Sequence, residues 1–301
     1  MTHTDFNATV RPDASTSSAQ GALRVSKGEP ATIDLNCDMG ESFGAWTMGQ
    51  DAEVLAYVSS ANIACGFHAG DPDTMRRTVG LAARAGVAIG AHVSLPDLVG
   101  FGRREMRVNA SETYALTLYQ IGALAGFVRA ADARLYHVKP HGALYNMAAC
   151  DAALADAIAR AVRDFDATLV LVGLADSELP RAGERVGLAV AHEAFADRRY
   201  ESDGSLTARR EPGAVIEDVD AAVAQALAIA NGLGVATRQG GTLSLRADTI
   251  CVHGDRANAA LFARSLREAL EAAKVLVAPL ASKPSPPSPA TGLGEGAKVR
   301  V

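Results

Sequence analysis

The hexapeptide from His137 to Gly142, His-Val-Lys-Pro-His-Gly, places two imidazoles and an ammonium within five residues and sets a proline among them. Proline disfavours helical backbone at the residue before it, so the stretch reads as extended. The two-residue period of a strand then puts His137 and Lys139 on one face, with Val138 opposite and His141 on the turn before Gly142. An imidazole in such a place can transfer a proton, and a lysine at a strand end can stabilise developing negative charge or hold a carboxylate. The competing reading is a core histidine beside a surface lysine.

Similar residues recur along the chain. His68 lies between Gly66 and Gly70, which let a ligand approach the backbone, while Asp71 before Pro72 reads as a helix cap. Asp34 and Asp38 flank a short apolar run; carboxylates at the end of a buried strand are costly unless paired, protonated or bound to a cation. Arg103 with Arg104, and Arg198 with Arg199, fall on inferred loops. One guanidinium of each pair, Arg103 and Arg198, is expected to clamp a carboxylate or phosphate, and the other to be solvated. The P-loop, nucleophile-elbow and His-Glu-x-x-His signatures do not occur in the sequence.

The elements that must position these residues follow from the hydrophobic pattern. Short apolar runs begin at Thr32, Asn62, Val87, Leu135, Thr168, Leu188 and Thr249, separated mostly by helical patterns, which indicates parallel β/α units. Asp71, Ser111 and Asp151 are read as helix caps. The polar residues cluster where strands end: Asp34 and Asp38, His68, His92 with Asp97, His137 with Lys139 and His141, His192 with Glu193, and His253 with Asp255. Apart from His3, every histidine occupies such a terminus. In a closed parallel barrel all strand C-termini converge on one face, whereas an open doubly wound sheet gathers fewer of them. The expected fold is therefore a modified parallel (β/α) barrel of seven strands.

Composition bounds the rest. With 301 residues, 49% hydrophobic and 21% charged, and a net charge of -5, the chain is long enough for a large core and is not drawn to nucleic-acid phosphate or a membrane. The first twenty residues lack the apolar core of a secretion signal, so the expected address is the cytoplasm. Cys37, Cys65, Cys150 and Cys251 are scattered and read as reduced thiols without chemistry. Residues 1–30 read as a disordered arm and 281–301 as a Pro/Gly-rich tail, leaving one domain over 31–280.

Read together, the stretches Asp34–Gly44, Ser60–Pro72, Gly90–Arg104, Tyr119–Leu124, His137–Asn146, Glu193–Tyr200 and Cys251–Asp255 closely resemble the LamB/YcsF family of bacterial 5-oxoprolinase A subunits. One departure is Val93, where many members carry proline. The resemblance implies a barrel similar to those of the glycoside hydrolase/deacetylase group. It also implies ATP-dependent opening of the lactam 5-oxo-L-proline to L-glutamate, together with two partner subunits, B and C.

Lactam opening needs a base for water, stabilisation of charge at the carbonyl oxygen and an acid for the departing nitrogen. Asp38, His68, His92, Lys139 and His141 are expected to divide those roles, Lys139 as charge stabiliser and His141 in proton transfer. Asp34, Arg103, Glu193, Arg198, His253 and Asp255 are expected to bind substrate. A divalent metal is compatible with such residues, although the spacing shows no tight ligand cluster. Two readings compete: a metal-dependent deacetylase or amidase that needs no ATP, and a non-catalytic subunit that binds substrate for its partners.

Overall fold

All seven apolar runs form strands, and they pair in parallel into a closed ring. The computed structural model describes residues 31–253 and 258–280; the arm expected over 1–30, the tail over 281–301 and Asp255 lie outside the described residues. The ring runs β1 (Thr32–Met39), β2 (Ser60–Ala64), β3 (Ala88–Val93), β4 (Leu135–Pro140), β5 (Val170–Leu174) and β6 (Ala189–Phe195). A small antiparallel hairpin, β7 (Val235–Ala236) and β8 (Thr242–Leu243), precedes β9 (Thr249–Val252). β9 pairs with both β6 and β1 and closes the barrel, while β10 (Leu276–Val277) adds to the first residues of β1.

Eight helices connect the strands among the described residues: α1 (Asp51–Val54), α2 (Pro72–Ala85), α3 (Ala110–Ala130), α4 (Gly142–Cys150), α5 (Ala152–Phe165), α6 (Glu178–Arg185), α7 (Val219–Ala230) and α8 (Ala259–Ala272). Asp71 caps α2 as expected, accepting from the Asp73 and Thr74 amides with Pro72 in the first turn, and Asp151 caps α5 in the same way. The cap of α3 differs from the expected Ser111. Asn109 accepts from the Glu112 amide while Glu112 reaches back to the Asn109 amide, a reciprocal capping box that leaves Ser111 inside the first turn. No helix of the described residues is long and apolar enough to cross a membrane.

The strand period divides the barrel into two environments. Along β1, Ile33, Leu35, Cys37 and Met39 join the main apolar core against the helices, while Asp34, Asn36 and Asp38 face inward. The interior is correspondingly polar. Asp34 accepts from the Ser59, Ser60 and Thr249 hydroxyls at 2.7, 2.7 and 2.6 Å. Asn36 donates to Glu193, and Asn62 donates to Asn36 and Asp38. Apart from Glu193 Oε2, which is buried without a hydrogen-bond partner, these groups satisfy one another, which offsets the cost that isolated burial would carry.

Glycine makes room for this network at one position in particular. A Cβ on Gly90 would lie 2.0 Å from His137 Nε2, so only glycine lets the imidazole fill the interior and reach Asn62 Oδ1 at 2.7 Å.

Candidate active site

The strand C-termini open into a cavity of about 420 Å³. β1 delivers Asp38 and the turn after it Glu41; β3 delivers His92, β4 Lys139, the cap of α4 His141, and the residue after β9 His253. β4 runs through Pro140 as the extended reading requires, and His141 N donates to the Val93 carbonyl at 2.7 Å, tying the ends of β3 and β4 together. Val93 is buried in register with Pro140, so the departure from proline there is accommodated within the strand.

Lys139 points into the floor and is almost fully buried, with Nζ 2.9 Å from Asp38 Oδ1, 2.8 Å from Glu193 Oε1 and 3.2 Å from Asn36 Oδ1. Burial alone would pull its pKa down, but Asp38, Cys251 and Glu193 together raise it well above the ordinary lysine value. Asp38 is pulled the other way: burial opposes ionisation, but His92 and Lys139 outweigh it and hold the carboxyl well below its usual range. The ammonium is thus shared by one buried carboxylate, Glu193, and one half-buried at the cavity, Asp38, rather than standing free over the pocket as the sequence suggests. Cys251 Sγ lies 3.1 Å from Lys139 Nζ, and burial keeps the thiol protonated.

Above this floor three histidines converge. His68 and His141 stack with ring centroids 3.8 Å apart and planes 7° from parallel; His141 Nδ1 lies 2.9 Å from His92 Nε2. His68 Nε2 approaches Glu41 Oε1 at 3.3 Å, and His92 Nε2 approaches Asp38 Oδ2 at 3.3 Å. Burial, reinforced for His141 by His68 and for His68 by His92, drives both pKa values well below 6.5, so both rings are neutral near pH 7. Gly102, at φ +64°, packs against them; a Cβ there would lie 2.3 Å from Ser94 Oγ and 2.8 Å from His141 Cδ2. One ligand atom each from Glu41, His68, His92 and His141 lies within 4.8 Å of the others, a cluster capable of holding a cation.

On another wall, His253 Nδ1 is 2.9 Å from both Asp197 oxygens, and its ring stacks on Phe195. Arg103, Arg198, Arg209 and Arg210 also line the cavity. Arg103 lies over the Phe101 ring, and Arg198 Nη2 donates to the Thr207 carbonyl. Burial, then the charge of Arg209, lowers the Arg198 pKa to about 10.

Of the residues singled out from the sequence, Asp38, His92, Lys139, His141, Arg103, Arg198 and His253 meet at the cavity. Glu193 sits directly beneath, on Lys139, and His68 stands behind Glu41 and His141 without lining the cavity. Asp34 does not reach it: its position on β1 is four residues below Asp38, and its carboxylate is consumed by Ser59, Ser60 and Thr249. His192 takes the opposite face of β6 from Glu193 and meets the Asp176 amide outside the barrel. Asp97 binds Arg104, leaving Arg103 to the cavity, and Arg199 is exposed. Sequence reasoning missed Glu41, Asn62 and Asp197. The first follows the glycine that ends β1, and the last adjoins the selected Arg198.

The LamB/YcsF family profile matches residues 33–285. The 5-oxoprolinase A subunit of Bacillus subtilis is 57% identical over 253 residues, covering 84% of this chain and 98% of that one. The 5-oxoprolinase A subunit of Methylococcus capsulatus is 61% identical over 249 residues, covering 83% and 96%. Among solved structures, a lactam utilization protein from Thermus thermophilus superposes with a TM-score of 0.78 at 48% identity, covering 82% of this chain and 99% of that one. By sequence and fold alike, the chain belongs to the LamB/YcsF family.

Proposed function

We propose that the chain is the A component of a cytoplasmic 5-oxoprolinase, a hydrolase that opens the lactam of 5-oxo-L-proline to L-glutamate with ATP consumed by a complex of partner subunits B and C. The observation that carries this reading is the joining of a proton-transfer dyad and a cluster of arginines in one cavity of small-molecule size. It is supported by the names of close relatives.

In the ring opening, water adds to the lactam carbonyl carbon, the carbon–nitrogen bond breaks, and the nitrogen takes a proton to leave as the amine. Asp197 accepts the Nδ1 hydrogen of His253, which leaves Nε2 to take a proton from water and return one to nitrogen. Asp38, held by Lys139 and Asn62, presents a carboxylate beside it that favours the imidazolium. Arg103 and Arg198 receive the substrate carboxylate, for which the planar guanidinium fork is suited.

The test is glutamate release from 5-oxoproline by the purified chain, with and without ATP and the two partner subunits. Turnover is expected only with ATP and partners present. ATP-independent release of acetate from an acetylated sugar by the chain alone would replace this reading with the deacetylase one.

A further inference from the structure

The His92–His141 pair poses a problem of proton placement. His92 Nδ1 lies 2.9 Å from the Lys139 carbonyl oxygen, and His141 Nε2 lies 2.9 Å from the Phe101 carbonyl oxygen. A carbonyl oxygen only accepts, so each of these ring nitrogens carries a hydrogen. In a neutral ring the other nitrogen is then a bare acceptor. Those two acceptors, His92 Nε2 and His141 Nδ1, face each other at 2.9 Å. Two lone pairs at that separation repel unless a cation lies between them. Glu41 Oε1 brings a third acceptor 3.6 Å from His141 Nδ1.

We propose that Glu41, His92 and His141 form a three-ligand site for a divalent transition-metal ion of the zinc class, open on its fourth side to the cavity. All three residues line the cavity. Two imidazoles and a carboxylate are a donor set that zinc favours where it keeps one position for water or substrate. The backbone carbonyls behind His92 and His141 fix the tautomers as outer partners of ligating histidines do. Bonds of about 2.0–2.2 Å in a tetrahedron set ligand atoms roughly 3.3–3.5 Å apart. The Glu41–His141 separation matches this spacing, and the His92–His141 pair has to open by about half an ångström.

His68 takes a different part. It does not line the cavity, and its Nδ1 is buried without a hydrogen-bond partner. A hydrogen on Nδ1 would be stranded there, so the ring carries it on Nε2 and donates to Glu41. His68 is the outer partner that orients the carboxylate, as the two carbonyls orient the imidazoles.

The rival cation is a proton on His92, shared with His141 and balanced by Asp38 Oδ2 at 3.3 Å. Metal content decides between them, independently of any substrate. The full chain is stripped with chelator, titrated with Zn²⁺ in a calorimeter against a competing chelator, and melted with and without the ion. The expected result is about one equivalent bound and an upward shift in melting temperature. His92→Gln and His141→Gln should abolish tight binding, whereas His68→Gln should keep the stoichiometry with affinity roughly 10–100-fold weaker. If the glutamine variants fail to fold, as judged by circular dichroism, the wild-type titration decides alone. A wild-type chain with no stoichiometric Zn²⁺ binding and an unmoved melt overturns the site, as does full affinity in a folded His141→Gln variant.

Discussion

Gly90 and His137 share one volume inside the barrel: the space that a Cβ of residue 90 would take is filled by the imidazole of residue 137. Gly90→Ala therefore forces the ring away from Asn62 and strains two strands that pair here just past a register shift between Ile89 and Gly90. Overpacking of this kind costs about 1–3 kcal/mol, and the lost hydrogen bond adds to it. A denaturant melt of the variant should show that loss with an unchanged slope; unaltered stability would mean that the interior yields more readily than its packing indicates.

Lys139→Met should cost stability as well as activity. The substitution strands the buried Glu193 and the half-buried Asp38, both paired with the ammonium. Removing one partner from a buried ion pair typically destabilises by about 3–5 kcal/mol. Adding Glu193→Gln to Lys139→Met should restore part of that loss without restoring turnover. Loss of activity with an intact melting temperature would favour the free charge-stabilising lysine expected from the sequence.

His253→Ala should lower kcat by about 10²-fold or more, since it removes the proposed proton carrier. Asp197→Asn tests the same dyad without emptying it, because the amide can hold the ring in the wrong tautomer. Both variants should stay folded and bind 5-oxoproline. An Asp197→Asn enzyme with wild-type kcat would remove the dyad from the chemistry.

Arg198→Lys keeps the charge but discards the fork. If the guanidinium receives the substrate carboxylate, KM should rise about tenfold while kcat holds, the sign of lost ground-state binding. A fall in kcat alone would assign Arg198 to a later step.

Acid should unfold the protein through its buried neutral histidines. Burial, reinforced by the Lys139 charge, lowers the His137 pKa to about 3 from an ordinary 6.5. The unfolded chain binds this proton between those values and the native state refuses it, so stability is complete above pH 6.5 and is lost as pH falls toward 3. Within that window one such histidine contributes a slope of about 1.4 kcal/mol per pH unit. Chemical denaturation at stepped pH values should show a steeper acid loss for the native sequence than for His137→Gln.

Much of this arrangement was legible in the sequence for one reason: strand ends in a parallel barrel share a face, so residues distant along the chain can be gathered by parsing strands alone. Lys139, His92, His141 and His253 were found that way. What the strand period could not reveal was depth. Asp34 and Asp38 have the same chemistry and point the same way, yet their two-repeat offset along β1 separates a hydroxyl-bound carboxylate in the interior from one at the cavity. Glu41 and Asp197 were missed because they lie in turns, where side-chain direction follows no period. The pairing of Lys139 with two acids was also hidden, since Glu193 comes from β6, two strands along the ring, and Asp38 from β1, three strands the other way.

The seam between β9 and β1 ties Asp34 of the first strand to a hydroxyl made near the end of synthesis; Asp34 and Thr249 are 215 residues apart. A nascent chain on the ribosome has translated Asp34 long before Thr249 exists, so its half-built interior holds a carboxylate lacking one of its final donors. Early collapse is therefore penalised, and the barrel gains its full stability only when the last strand of the ring arrives. Prematurely terminated chains would lack both this closure and His253, which makes the completed C-terminal portion a checkpoint on whether a newly made molecule is competent at all.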